Sequence, residues 1–132
     1  MNEKAFTLIE MLIILVVIGI FAAVSINTFS RLIEKSRSAE AETSLLLIYN
    51  AQKRFLLNNR AYFNCAASCT PGDIVRSLDI ALQANHFSYN IQRQGTAGYI
   101  ATATRKSGTC VNNTMTINDL SSEITKECEI WR

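Results

Sequence analysis

The residues of this chain with the most chemistry to offer are four cysteines and one carboxylate in an unexpected place. Cys65, Cys69, Cys110 and Cys128 form an even set, and all lie beyond an apolar amino-terminal run. That usage points to an oxidising compartment and two disulfides. Four cysteines permit three pairings. Cys65–Cys69 with Cys110–Cys128 is preferred, because each bond closes a local loop. A zinc site would want closer cysteine pairs or added histidines. The single histidine, His86, has no obvious partner, so no metal or other cofactor is expected. The Cys-x-x-x-Cys spacing also differs from the Cys-x-x-Cys of redox-active pairs.

The carboxylate is Glu10. From Leu8 to Ile26 it is the only charged side chain. A carboxylate at the centre of a spanning helix costs roughly 2.5–3.5 kcal/mol on insertion scales, so Glu10 asks for a partner. At ~1.5 Å per residue a helix over this run nearly crosses a hydrocarbon core of ~30 Å. A cleavable secretory signal is the rival reading, with Ala22-Ala23-Val24-Ser25 imitating a cleavage site. Against it, the basic region before the run is only the Met1 amine and Lys4, offset by Glu3. The run also continues into a helical pattern without a break.

Other candidate groups read as structural. Asp119, Glu123, Glu127 and Glu129 crowd the end of the chain, with Lys126 and Arg132 among them, as in a solvated tail. Asp119, Glu123 and Glu127 are candidate calcium oxygens, but their spacing fits no recognised loop. Arg93, Arg105 and Lys106 form either a basic patch for DNA or a charged sheet edge that discourages strand pairing. No phosphate-binding glycine loop or nucleophile–base grouping is present, so no enzyme is expected. Tyr49, Tyr62, Tyr89 and Tyr99, with Phe55, Phe63 and Phe87, read as core, and His86 as a residue at a strand start. The net charge of +2 is too small to imply nucleic acid or an anionic surface.

The elements that must position these groups follow from periodicity. From Phe6 to Asn59 there is no proline, and glycine occurs only at Gly19. Leu45, Ile48, Gln52 and Phe55 recur at helical spacing, with Leu56 beside them. Residues 31–44 are polar nearly all round, with Arg31, Lys35 and Arg37 alternating with Glu34, Glu40 and Glu42, a pattern typical of a solvated face. One helix of about fifty residues is expected, roughly 80 Å long and therefore protruding from any domain of this size. Thr70-Pro71-Gly72-Asp73 starts a second, short helix with Ile74, Leu78 and Leu82 on its buried face. Phe87, Tyr89 and Ile91, then Tyr99 to Thr104, then Thr114 to Ile117 alternate as strands, predicting a three-stranded antiparallel meander. The fold class is α+β: a long helix packed on a small antiparallel sheet.

Phe6-Thr7-Leu8-Ile9-Glu10, followed by the apolar helix, resembles the start of a type IV pilin or a related pseudopilin. The detailed resemblance covers about residues 5–60 and is architectural beyond that. It implies a leader of residues 1–5, a transmembrane and filament-core helix at 6–29, an amphipathic continuation at 30–60, and a globular head at 61–132. It also implies that a prepilin peptidase cuts between Ala5 and Phe6 and N-methylates Phe6. The precursor would sit in the cytoplasmic membrane as a single-pass protein with its head outside. An assembly platform would then extract it into an extracellular helical filament of self or mixed subunits. Glu10 would neutralise the Phe6 amine of a neighbouring subunit, and Gly19 would be a weak point of the helix during assembly.

The function so implied is that of a pilus subunit serving adhesion, twitching motility or DNA uptake, with DNA or a surface as possible ligand. A type II secretion pseudopilin is the alternative, and a membrane-anchored binding protein that never polymerises is a second one. Two positions depart from the family. Ala5 stands where glycine is usual, and Asn27 where many pilins have proline, so this helix is expected to be straighter.

Overall fold

The long helix of the computed structural model, α1, runs from Leu8 to Asn59 and is unbroken over 52 residues. Backbone and side chains are described for residues 7–65, 69–95 and 98–132, except that only the backbone is described for 24–27. The lack of internal proline permits this length. The helix stops where Arg60 takes a left-handed backbone (φ 56°) and donates its N–H to the Leu56 carbonyl at 2.8 Å. The chain divides into two units, residues 1–33 and 34–132.

In the first unit the large apolar side chains from Leu8 to Phe21 are exposed. α1 is long and apolar enough to cross a bilayer. In the second unit the same helix has a buried stripe of Glu34, Ser38, Ala41, Leu45, Ile48 and Gln52. The reading of the charged residues in 31–44 as a solvated face is corrected at Glu34, which is buried with Ser38, Ala41 and Ser44. Small and polar residues, not large apolar ones, carry the stripe across the first turns, so hydrophobic periodicity does not reveal it.

A second helix, α2, spans Pro71–Leu78, one turn shorter than the Leu82 expectation. Its start is a full capping box. The Asp73 N–H bonds the Thr70 hydroxyl, and the Asp73 carboxylate accepts from the Thr70 N–H at 2.9 Å. It ends at Asp79, which is left-handed (φ 52°). Arg54 of α1 donates to the Leu78 and Asp79 carbonyls at 2.7 and 3.3 Å, satisfying groups that helix ends leave open.

Strands β1 (Phe87–Gln94), β2 (Gly98–Arg105), β3 (Thr114–Asn118) and β4 (Thr125–Lys126) form one antiparallel sheet in that order. The fourth strand corrects the three-strand expectation. The charged segment read as a solvated tail pairs with β3, then forms a 3-10 turn at Glu129–Trp131 that buries Trp131. On the inner face Phe87, Tyr89 and Ile91 meet Tyr99, Ala101, Ala103, Met115 and Ile117, and pack with the α1 stripe, Ile74 and Leu78 into one core. Buried Gln52 fixes the loop after α1. Its amide nitrogen donates to the Phe63 carbonyl, and its oxygen accepts from the Phe63 N–H, both at 2.9 Å.

Candidate functional site: a capped helix start and a buried ionic lock

Two groups of polar side chains stand out. The first is at the start of α1. Thr7 and Glu10 have the spacing of a capping box. The Glu10 N–H bonds the Thr7 hydroxyl at 3.3 Å, and Glu10 Oε2 accepts from the Thr7 N–H at 3.4 Å and from its hydroxyl at 3.5 Å. A carboxylate in the first turn also suits the helix dipole. Glu10 thus has local partners, which the sequence reading missed although Thr-x-x-Glu is itself the signal. Ala5 and Phe6 lie outside the described residues. Gly19 is mid-helix, and an added Cβ there would meet no atom within 4 Å.

The second group lies between α1 and the sheet, within residues 34–132. Glu34 and Arg105 form a two-pronged pair, with Nε to Oε1 at 2.7 Å and Nη2 to Oε2 at 3.0 Å. The remaining guanidinium nitrogen donates to the His86 carbonyl at 2.9 Å, and the indole N–H of Trp131 reaches Glu34 Oε1 at 3.4 Å. The Phe87 ring lies 5.3 Å from the guanidinium carbon. The Arg105 guanidinium bonded to Glu34 holds its carboxyl below the usual carboxylate range, outweighing the opposite effect of burial. Gly108 is backed by this pair; an added Cβ would meet Arg105 Nη2 at 3.0 Å.

Arg105 is fully buried, so the Arg93–Arg105–Lys106 patch does not form as expected. The reason lies in strand phase: Tyr99, Ala101, Ala103 and Arg105 are alternate residues of β2 and share its inner face. Arg93 and Lys106 are exposed, and Lys106 Nζ donates to the Ala84 carbonyl. His86 contributes its carbonyl to Arg105 and no ring contact to the site.

The cysteines pair as Cys65–Cys69 and Cys110–Cys128. The first bond sits beside the bridge of Cys65 to Ile91 on β1, and the second ties the β2–β3 loop to the segment after β4. No group of three or more metal-ligating side chains occurs among the described residues. Asp119 and Glu127 each accept a backbone N–H, from Tyr99 and Thr114 respectively.

The family model described as "Type IV minor pilin ComP, DNA uptake sequence receptor" matches residues 28–116, well over half the chain. The prokaryotic N-terminal methylation motif matches residues 1–26. The chain is 40% identical over 65 residues to the type IV major pilin protein PilA of Myxococcus xanthus (strain DK1622). That match takes in 49% of this chain and 30% of the relative, so the chain spans well under half of the relative's length in the matched part. No solved structure matches.

Proposed function

The chain belongs to the type IV minor pilin ComP family, and on that premise we propose that it is a type IV pilus subunit, processed at its amino end and assembled into a filament that takes part in DNA uptake. The observation that carries this reading is the methylation-motif match, which takes in Ala5, Phe6 and Glu10 ahead of the apolar part of α1.

On this reading a prepilin peptidase cuts between Ala5 and Phe6 and methylates Phe6. The precursor is a single-pass protein of the cytoplasmic membrane with its head outside, and an assembly platform draws it into the extracellular filament with other pilins. The exposed apolar side chains from Leu8 to Phe21 suit both stages, since neighbouring helices replace acyl chains as their covering. Glu10 then changes partners. Its bonds to Thr7 are long, at 3.4 and 3.5 Å, whereas a carboxylate–ammonium bond to a neighbour's Phe6 amine is shorter and stronger. Gly19 has no steric need in the lone chain. A mid-helix glycine costs about 1 kcal/mol relative to alanine, which makes it a place for the helix to loosen.

DNA uptake comes to this chain from the family it belongs to. Arg93 and Lys106 are exposed cations available to a phosphate backbone, while Arg105 is spent on Glu34. The family is a structural one, and no reaction is assigned. The pseudopilin and non-polymerising readings have less support, because the matches are to pilins.

The test is the intact mass of this protein in filaments sheared from the cell surface. A chain that starts at methylated Phe6 and carries two disulfides supports the reading. A chain that starts at Met1 and stays in the membrane fraction overturns it.

A further inference from the structure

The sequence from Ser30 to Ala39 mixes charges, with Glu34 among Arg31, Lys35 and Arg37. The structure sorts them. Glu34 is 3% exposed and bound by Arg105, so its charge leaves the surface. The next acids are partly covered: Glu40 is half-buried with Oε1 inside, and Glu42, 31% exposed, is paired with Lys126 at 2.8 Å. The sheet side therefore supplies two cations, Arg105 and Lys126, that occupy two of the helix's acids. Between Ser30 and Ala39 the charges left outside are therefore positive.

Lys35 is exposed and makes no ion pair among the described residues; Arg37 keeps 36% of its side chain exposed and stands 3.9 Å from Glu34. Two positions apart on a helix, they project to different sides within ~3 Å of axial rise, as a collar does. Chain length alone ties this collar to the apolar run. Lys35 is six residues after Phe29, so it stays within ~20 Å of it along any path. A headgroup layer begins where a hydrocarbon core of ~30 Å ends.

We propose that Lys35 and Arg37 are a binding site for the phosphate headgroups of anionic phospholipid in the leaflet that the apolar run leaves. The site rests on the reading of the chain as a membrane-anchored precursor. The net charge of +2 does not reveal it, because a sum over the chain says nothing of where the charges lie on the surface. A lysine or arginine near an anionic surface adds about a fivefold preference, so two add roughly 25-fold. A lipid phosphate fits better than a nucleic-acid phosphate because the collar is so close in sequence to the apolar run.

The experiment uses the full chain in nanodiscs of phosphatidylcholine doped with phosphatidylglycerol, reading retained lipids by native mass spectrometry. Retention of phosphatidylglycerol over phosphatidylcholine is expected. It should fall by about an order of magnitude or more in the Lys35→Gln/Arg37→Gln variant and hold in Arg76→Gln, an exposed arginine on α2. No lipid preference, or one that the double variant keeps, overturns the proposal. Displacement of phosphatidylglycerol by a short DNA duplex, lost in the double variant, also overturns it in favour of nucleic acid. Carbonate extraction of the chain from vesicles keeps the two readings apart: a chain that washes off refutes the anchor, and one that stays without lipid preference refutes only the collar.

Discussion

Glu34 and Arg105 stand 71 residues apart in the chain and meet through two hydrogen bonds of 2.7 and 3.0 Å with almost no exposure to solvent. Their pair joins α1 to the last inward-facing position of β2. Paired charges in low dielectric recover their desolvation only with good geometry and further hydrogen bonds. Here His86 and Trp131 supply those bonds.

Removing one partner should expose the cost of the other. Glu34→Gln keeps the shape but leaves the Arg105 charge buried, and should destabilise the head by about 3–5 kcal/mol. Glu34→Met/Arg105→Met should lose far less than the sum of the single changes. Denaturant midpoints for the wild type, Glu34→Met, Arg105→Met and the double Met variant measure the coupling, and an additive cycle would refute the pair's importance.

Acid should weaken the same lock. The folded pKa of Glu34 is depressed, so its contribution is fully present above the unfolded value of about 4.3 and is lost as pH falls through the folded value. Stability measured between roughly pH 6 and pH 2 should drop more steeply for the wild type than for Glu34→Gln. Parallel curves would contradict the assignment.

Gly108→Ala should damage the lock from behind. The position has φ 105°, and its new Cβ would lie 3.0 Å from Arg105 Nη2 and 3.3 Å from Glu34 Oε2. Backbone strain of this kind costs on the order of 1–3 kcal/mol. Thermal melting should report the loss, and an unchanged melting temperature would show that the loop yields freely.

The two disulfides should differ in weight. Cys110–Cys128 spans 18 residues and Cys65–Cys69 only 4, so breaking the first frees far more of the unfolded chain. Cys128→Ser should cost about 2–5 kcal/mol and Cys65→Ser less. Equal losses in chemical denaturation would count against loop closure as the cause.

Glu10→Ala addresses assembly. Cleavage before Phe6 should proceed, while incorporation into filaments should fall sharply in a comparison of membrane and sheared fractions. Filaments of normal yield and length would sink the proposed pairing with the Phe6 amine.

The sequence by itself determined the long helix, because fifty-odd residues without proline leave few alternatives, and it located Glu10, the capped start of α2 and the first three strands. Each of these is a local pattern of propensity, capping or period. Thr7-x-x-Glu10 is equally local, but the carboxylate's cost in lipid masks its use as a cap. What only the tertiary structure decided was which charges face inward. Arg105 is in phase with the inner face of β2, and Glu34 lies on the buried stripe of α1, yet each looks like surface when its own segment is read alone. Burial of a charge requires its partner, and that partner lies 71 residues away. The same long-range contacts drew Lys126 to Glu42 and turned a charged tail into β4 and a buried Trp131. They also took Glu34 out of solvent and left its neighbour Lys35 on the surface.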